Sequence, residues 1–135
     1  MSNGPSPSVR CLLSALSKQQ IGTKVRFLGC VTSYSTQRAE VSLRHDYPAA
    51  AEGVEAIVDV KLLLETLKSH ETDIGQWVHV IGYTTFVKAG VVVDAQDPSR
   101  RKTAPRVGVQ ALTLWVAQDL DLGKYETTLS EDSNS

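Results

Sequence analysis

Apolar and polar positions alternate along several separate stretches of this chain, and other stretches repeat their apolar positions every three to four residues. The most informative stretch is Gly22-Thr23-Lys24-Val25-Arg26-Phe27-Leu28-Gly29-Cys30-Val31-Thr32-Ser33-Tyr34, which reads as one long strand. Its β-branched and aromatic residues suit a pleated surface. A lone glycine in mid-strand, Gly29, marks a bulge or a sharp bend. After a short turn from Tyr34 to Gln37, Ala39, Val41 and Leu43 alternate with Arg38, Glu40, Ser42 and Arg44. That pattern predicts a half-exposed strand hairpinned to the first. Ala56–Val60 reads as a third strand, Gln76–Phe86 as a fourth and Val107–Ala117 as a fifth. In the fifth, Leu112, Leu114 and Val116 share one face and put Trp115 on the other, unless a bulge turns it inward.

Three stretches carry the helical period instead. Val9, Leu12, Leu13 and Leu16 fall at i, i+3, i+4 and i+7, with Ser8 placed as N-cap, and predict a short helix that plugs one end of a barrel. Val60, Leu63, Leu64 and Leu67 predict a helix over Lys61–His70. Leu122, Tyr125 and Leu129 predict a last helix capped by Asp119 or Asp121. Gly123 costs that helix about 1 kcal/mol relative to alanine, so it depends on tertiary or partner contacts. Between the fourth and fifth strands, Val87–Arg106 is rich in Pro and charge and reads as a mobile loop, with Val91-Val92-Val93 able to extend a hairpin. Residues 1–7 and 130–135 read as disordered tails around a single domain, 8–129. A long bending first strand, with a helix between strands three and four, makes the fold class all-β: a five-stranded OB barrel with flanking helices. Another small α+β fold with the same element order is the competitor.

Composition narrows the function. The 135 residues suffice for one hydrophobic core, and 41% apolar with 21% charged residues is ordinary for a globular chain. No apolar run reaches the roughly 18 residues of a membrane span. The N-terminus does not resemble a secretory leader, so an intracellular site is expected. The formal net charge of −1 lacks the basic excess of a strong autonomous nucleic-acid binder. Nucleic acid would therefore be bound weakly, through a local patch, or within an assembly. Cys11 and Cys30 are far apart and form no CxxC, and His45, His70 and His79 are scattered, so neither a disulfide nor a metal is expected. No phosphate cradle, nucleophile elbow or HExxH is present, which points to no cofactor, no small-molecule substrate and no catalysis.

Two groups of residues are candidates for binding. Tyr34, Arg38 and Arg44 fall on or beside the second strand, and Arg100, Arg101, Lys102 and Arg106 fall in the long loop. In OB barrels the face of the second and third strands and the flanking loops form the usual oligonucleotide groove. Cations there neutralise phosphates and aromatics stack on bases. The alternative is a solvated charged loop or a nuclear-localisation patch. The second group is Trp115, facing outward, with the apolar stripe of the last helix. That stripe packs either on a partner or on the chain's own barrel.

Several of these segments resemble one family. Gly22–Val31, Val58-Asp59-Val60 with Leu62–Lys68, Gly75–Tyr83, Val109-Gln110-Ala111 with Leu114-Trp115, and Leu122-Gly123-Lys124-Tyr125-Glu126 resemble, in order, segments of the small Ten subunit of the CST telomere-capping complex, in its fungal-type form. The resemblance covers most of residues 20–85 and 107–129. It implies a non-enzymatic OB-fold subunit that pairs with the Stn subunit, as the two smaller subunits of replication protein A pair. It further implies a nuclear, telomeric location, contact with telomeric single-stranded DNA mainly through the complex, and roles in limiting G-strand extension and promoting C-strand fill-in. By this resemblance the terminal helix carries much of the pairing, Tyr125 matches an aromatic position there, and Leu120, Leu122, Leu129 and Trp115 join it as partner-binding residues. Two other readings stay open: a stand-alone single-strand-binding OB module, and an interaction adaptor that never touches nucleic acid.

Overall fold

Among the described residues, six strands build one sheet that closes on itself: β1 (Val9–Arg10), β2 (Lys24–Ser35), β3 (Glu40–Arg44), β4 (Glu55–Asp59), β5 (Trp77–Val93) and β6 (Arg101–Val116). The computed structural model describes residues 7–48, 53–93, 99 and 101–133, with the side chains of 91–93, 101–103 and 131–133 outside that description. The order is β1-β2-β3-β4-β6-β5, and β5 returns to pair with β2. The barrel proper thus has five strands, with β1 lying parallel to β2 as a two-residue edge. A parallel β4–β6 pair and an antiparallel β2–β5 pair close it, as the OB layout requires.

Alternation fills the interior. Val25, Phe27 and Val31 of β2, Val41 and Leu43 of β3, Ala56 and Val58 of β4, Val78 and Val80 of β5, and Val107 and Val109 of β6 are all buried in one core. Gly29 points inward too. A Cβ there would stand 2.8 Å from the Cβ of Leu43 and 2.9 Å from Cδ1 of Leu13, so the strand glycine exists for close approach rather than for an unusual backbone angle.

Three single-residue bulges set which side chains reach the outside. Thr32 is the extra residue on β2 and Thr85 on β5, while Leu112 is the extra residue on β6. Each shifts the alternation by one, so everything beyond it is read in the opposite phase. Leu112 is therefore turned out and Leu114 in, a reversal of the shared face expected for those two leucines.

The short helices differ from expectation. The N-terminal stretch is β1 followed by a 3₁₀ helix, Leu13–Lys18, and Leu12 rather than Ser8 is its N-cap residue. Leu13 and Leu16 still plug the barrel, fully buried, but Val9 is exposed. Between β4 and β5 two 3₁₀ turns, Lys61–Leu63 and Ser69–Thr72, stand in place of one helix. Leu63 and Leu67 pack on the core while Leu62 and Leu64 face outward. So short a segment with two anchoring contacts is too brief to hold an α-helix, and 3₁₀ turns serve as connectors. The expected mobile loop is largely a ribbon: β5 runs on to Val93 and β6 begins at Arg101, paired throughout.

The C-terminal helix α1 (Leu122–Ser133) runs four residues past the expected boundary. Asp121 caps it, its Oδ1 accepting from the Lys124 N–H at 3.0 Å. Adjacent residues of β2 face opposite ways: Phe27 enters the barrel, and Leu28 joins Leu12, Tyr125 and Leu129 in a second cluster beneath α1.

Candidate functional site

A groove crosses the outer face of the barrel where all five strands contribute. Ser33 and Ser35 come from β2, Gln37 and Arg38 from the following turn, Glu40 and Ser42 from β3, Ile57 from β4, Phe86 and Lys88 from β5, and Arg106 from β6. Two of the bulges create it. Without the extra Thr85, Phe86 would fall on the inner face with Val78, Val80 and Thr84; with it, Phe86 and Lys88 are turned out while Val87 pairs with the inward Val107. Phe86 rests on Gly108, where a Cβ would come within 2.3 Å of its ring. Lys88 Nζ stands 4.7 Å from the ring centroid. An aromatic ring backed by glycine and capped by a lysine is a platform on which a base can stack once the lysine turns to a phosphate.

Of the residues expected here, Arg38 and Arg106 are in the groove. Tyr34 is not. The Thr32 bulge sends Ser33 and Ser35 outward and Tyr34 inward, half-buried against the core. Arg44 lies on the outer side of β3 but is tied to Asp46 at 3.0 Å. Arg101 and Lys102 lie on β6 opposite Val93 and Val92, with side chains beyond the description, and Arg100 lies outside the described residues. Phe86, Lys88 and Ile57 are additions: alternation alone turns Phe86 and Lys88 inward, whereas Ile57, between the buried Ala56 and Val58, is outward by simple alternation.

The other flank is built around α1. Tyr125 and Leu129 are 9% and 2% exposed, against the chain's own barrel, with Leu120 and Leu122 half-buried at the margin. The expected partner anchors Tyr125 and Leu129 are thus spent first on seating the helix. His45 Nε2 lies 2.6 Å from Oε2 of Glu126 and the Tyr47 hydroxyl 3.1 Å from Oγ of Ser130, which pins the helix along two turns. Burial above all pushes the Tyr125 hydroxyl up to about 12.

Beside the helix, Trp115 faces outward and half-exposed, as alternation predicts beyond the bulge. It stacks on His79 at 5.1 Å, and the Arg26 guanidinium stands 5.4 Å from its ring centroid. Arg10, the β1 neighbour of Arg26, stands 5.6 Å from the ring of Tyr125. Burial, then the charges of Arg26 and Arg10, hold His79 below its ordinary range. The folded state therefore binds fewer protons here than the unfolded chain, so stability falls as pH drops through the unfolded value of about 6.5. His79→Gln is expected to flatten part of that decline in a series of thermal melts between about pH 7 and 5. An unaltered profile would remove His79 from the acid response. Among the described residues, no three His, Cys, Asp or Glu side chains converge as a metal site would need, and no helix is long and apolar enough to cross a membrane.

A family model described as Ten1, telomere capping, CST complex subunit, matches residues 1–130. Among solved structures the chain is similar to a chain of the S. pombe Stn1–Ten1 complex, at 18% identity over 97% of this chain and 96% of that one, with a TM-score of 0.66. It is similar to the telomere capping protein Ten1 from S. pombe at 18% identity, covering 96% and 100%, with a TM-score of 0.64. It also resembles U. maydis replication protein A bound to single-stranded DNA, at 14% identity over 97% and 94%, with a TM-score of 0.59. No curated protein matches. At these identities the structural likenesses speak for the fold.

Proposed function

Because this chain belongs to the Ten1 family of telomere-capping CST complex subunits, we propose that it pairs with an Stn-type partner on the α1 flank and lends its groove to telomeric single-stranded DNA. The reading is of a nuclear, non-catalytic subunit that acts at chromosome ends by binding, limiting G-strand extension and supporting C-strand fill-in. The observation that carries the DNA half is the outward Phe86 between Lys88, Arg38 and Arg106. It combines a stacking face with phosphate-neutralising cations in one groove. Pairing is supported by Trp115, Leu120 and Leu122, which leave apolar surface beside the seated helix. Arg10 and Arg26 add cations there that meet no carboxylate among the described residues. The near-neutral charge suits a chain that contributes a few contacts to a shared path.

The test is fluorescence anisotropy of a labelled G-rich telomeric strand against this chain, the Stn-type partner, and the co-expressed pair. The pair is expected to co-elute and to bind well where this chain alone does not. Tight binding by the isolated chain that ignores the partner would replace this reading with a stand-alone module. In the pair, Phe86→Ala is expected to weaken binding by roughly tenfold, within the 1–3 kcal/mol of one stacked base, while co-elution is unchanged. Equal affinity would take Phe86 out of the DNA path.

A further inference from the structure

We propose that Glu55 acts as an electrostatic brake on the groove: it holds Arg106 in a standing ion pair that a DNA phosphate must share, and so sets how tightly the groove binds. The inference rests on the groove reading above.

Glu55 and Arg106 are direct neighbours across the parallel β4–β6 pair that closes the barrel. Both Nη2 and Nε of Arg106 donate to the same oxygen, Oε1 of Glu55, at 2.9 and 3.3 Å. The stem of Arg106 is aimed by the ribbon. It lies across Gly90, where a Cβ would meet its Cδ at 2.3 Å and its Cγ at 2.5 Å. A bare backbone at Gly90 leaves room for that stem on the β5 side of β6, while the guanidinium meets Glu55 on the β4 side. The carboxylate side chain is 18% exposed against 48% for the arginine. The acid is thus the more buried partner, and the arginine, not the acid, lines the groove.

The other two cations of the groove are differently placed. Arg38 and Lys88 form no ion pair among the described residues, and Lys88 rests on Phe86. A phosphate entering the groove thus meets two cations held in no ion pair, a third whose charge is already matched, and the carboxylate of Glu40 on β3. A guanidinium has enough donors to serve two anions at once, but doing so brings the phosphate close to a carboxylate that cannot withdraw. The repulsion subtracts from what Arg106 contributes. The penalty lowers the affinity of every ligand that reaches Arg106 by the same factor, and a strand that also reaches Phe86, Lys88 and Arg38 still binds in spite of it.

The experiment uses the co-expressed pair and a G-rich single strand, with affinity measured across a salt series. Glu55→Gln keeps the shape and an oxygen for Arg106 to donate to, and removes the charge. It is expected to bind about fivefold more tightly near 0.1 M salt, with a log–log salt slope steeper by about 0.7, the signature of one more neutralised phosphate on a single strand. Glu55→Asp, which keeps the charge but draws it back by a methylene, is expected to give a smaller rise in the same direction and serves if the glutamine variant folds poorly. Adding Arg106→Gln to Glu55→Gln is expected to abolish the gain. Phe86→Ala is measured beside them. Unchanged or weaker binding by both Glu55 variants, with Phe86→Ala still impaired, overturns the brake and leaves the groove standing. If neither Phe86 nor Glu55 matters, the groove reading itself falls, and the brake with it.

Discussion

Tyr125→Ala is expected to free α1 from the barrel and abolish co-purification with the Stn-type partner, while the barrel stays folded. The ring is the hub of the outer cluster. It packs with Leu12, Leu28 and Leu129 and lies 6.1 Å from the ring of His45 and 6.2 Å from that of His79. Truncating so buried an aromatic costs about 3 kcal/mol. The helix cannot make up that loss. It has twelve residues, with Gly123, Thr127 and Thr128 among them, all poor formers, and a helix of that length is marginal in water once its packing is gone. Hydrogen exchange should show amides of 122–133 near full exposure and those of β2, β5 and β6 still protected. Tyr125→Phe keeps the ring and is expected to behave nearly as the unsubstituted protein. Persistent protection of α1 in the alanine variant, or normal co-purification, would refute this role.

Gly29→Val is expected to cost about 3 kcal/mol and to lower the melting temperature by roughly 10 °C or more. The clash is with the Cβ of Leu43, which is fixed to a strand, and with the plug residue Leu13. Neither has free space to retreat into, since both are fully buried. The contrast is Gly75→Ala. Gly75 has a φ of +92° and nothing within 4 Å of a would-be Cβ, so it bears only the backbone strain of a left-handed residue, about 1 kcal/mol. Matched melts of the two variants separate close packing from conformation. A Gly29→Val melt within two or three degrees of the parent protein would mean that the plug moves aside.

The barrel was readable from the sequence because its information is local and periodic. Val25/Phe27, Val41/Leu43, Ala56/Val58 and Val78/Val80 each alternate over a few residues, and the stripe Leu122/Tyr125/Leu129 marks the buried side of α1. The family-like segments followed the same elements. What was not readable turns on single residues. Nothing in the composition around Thr32 or Thr85 announces an extra residue, yet those two decide that Tyr34 enters the core and Phe86 leaves it. Leucines at helical spacing in 12–16 and 60–67 produced 3₁₀ turns because the segments are short and tied at both ends to strands. The 87–106 stretch read as a loop on account of its prolines and charges. Pro105, however, lies just before β6 gains β4 as a second neighbour at Arg106, where a missing N–H interrupts no second ladder. The Glu55–Arg106 pair, between residues far apart in sequence, follows only from the barrel's closure.

The seat of α1 is assembled from the whole length of the chain. Leu12 precedes the barrel, Leu28 belongs to β2, His45 and Tyr47 follow β3, Trp77 opens β5 and Ala117 follows β6. These parts meet only after β5 has returned to β2, one of the distant pairings that make such topologies slow to fold. The helix, last in the chain, therefore has nowhere to settle until everything before it is finished. If pairing runs through α1, as proposed above, a partner would in effect inspect the barrel: a chain nicked or mispaired upstream would present no ordered helix to bind.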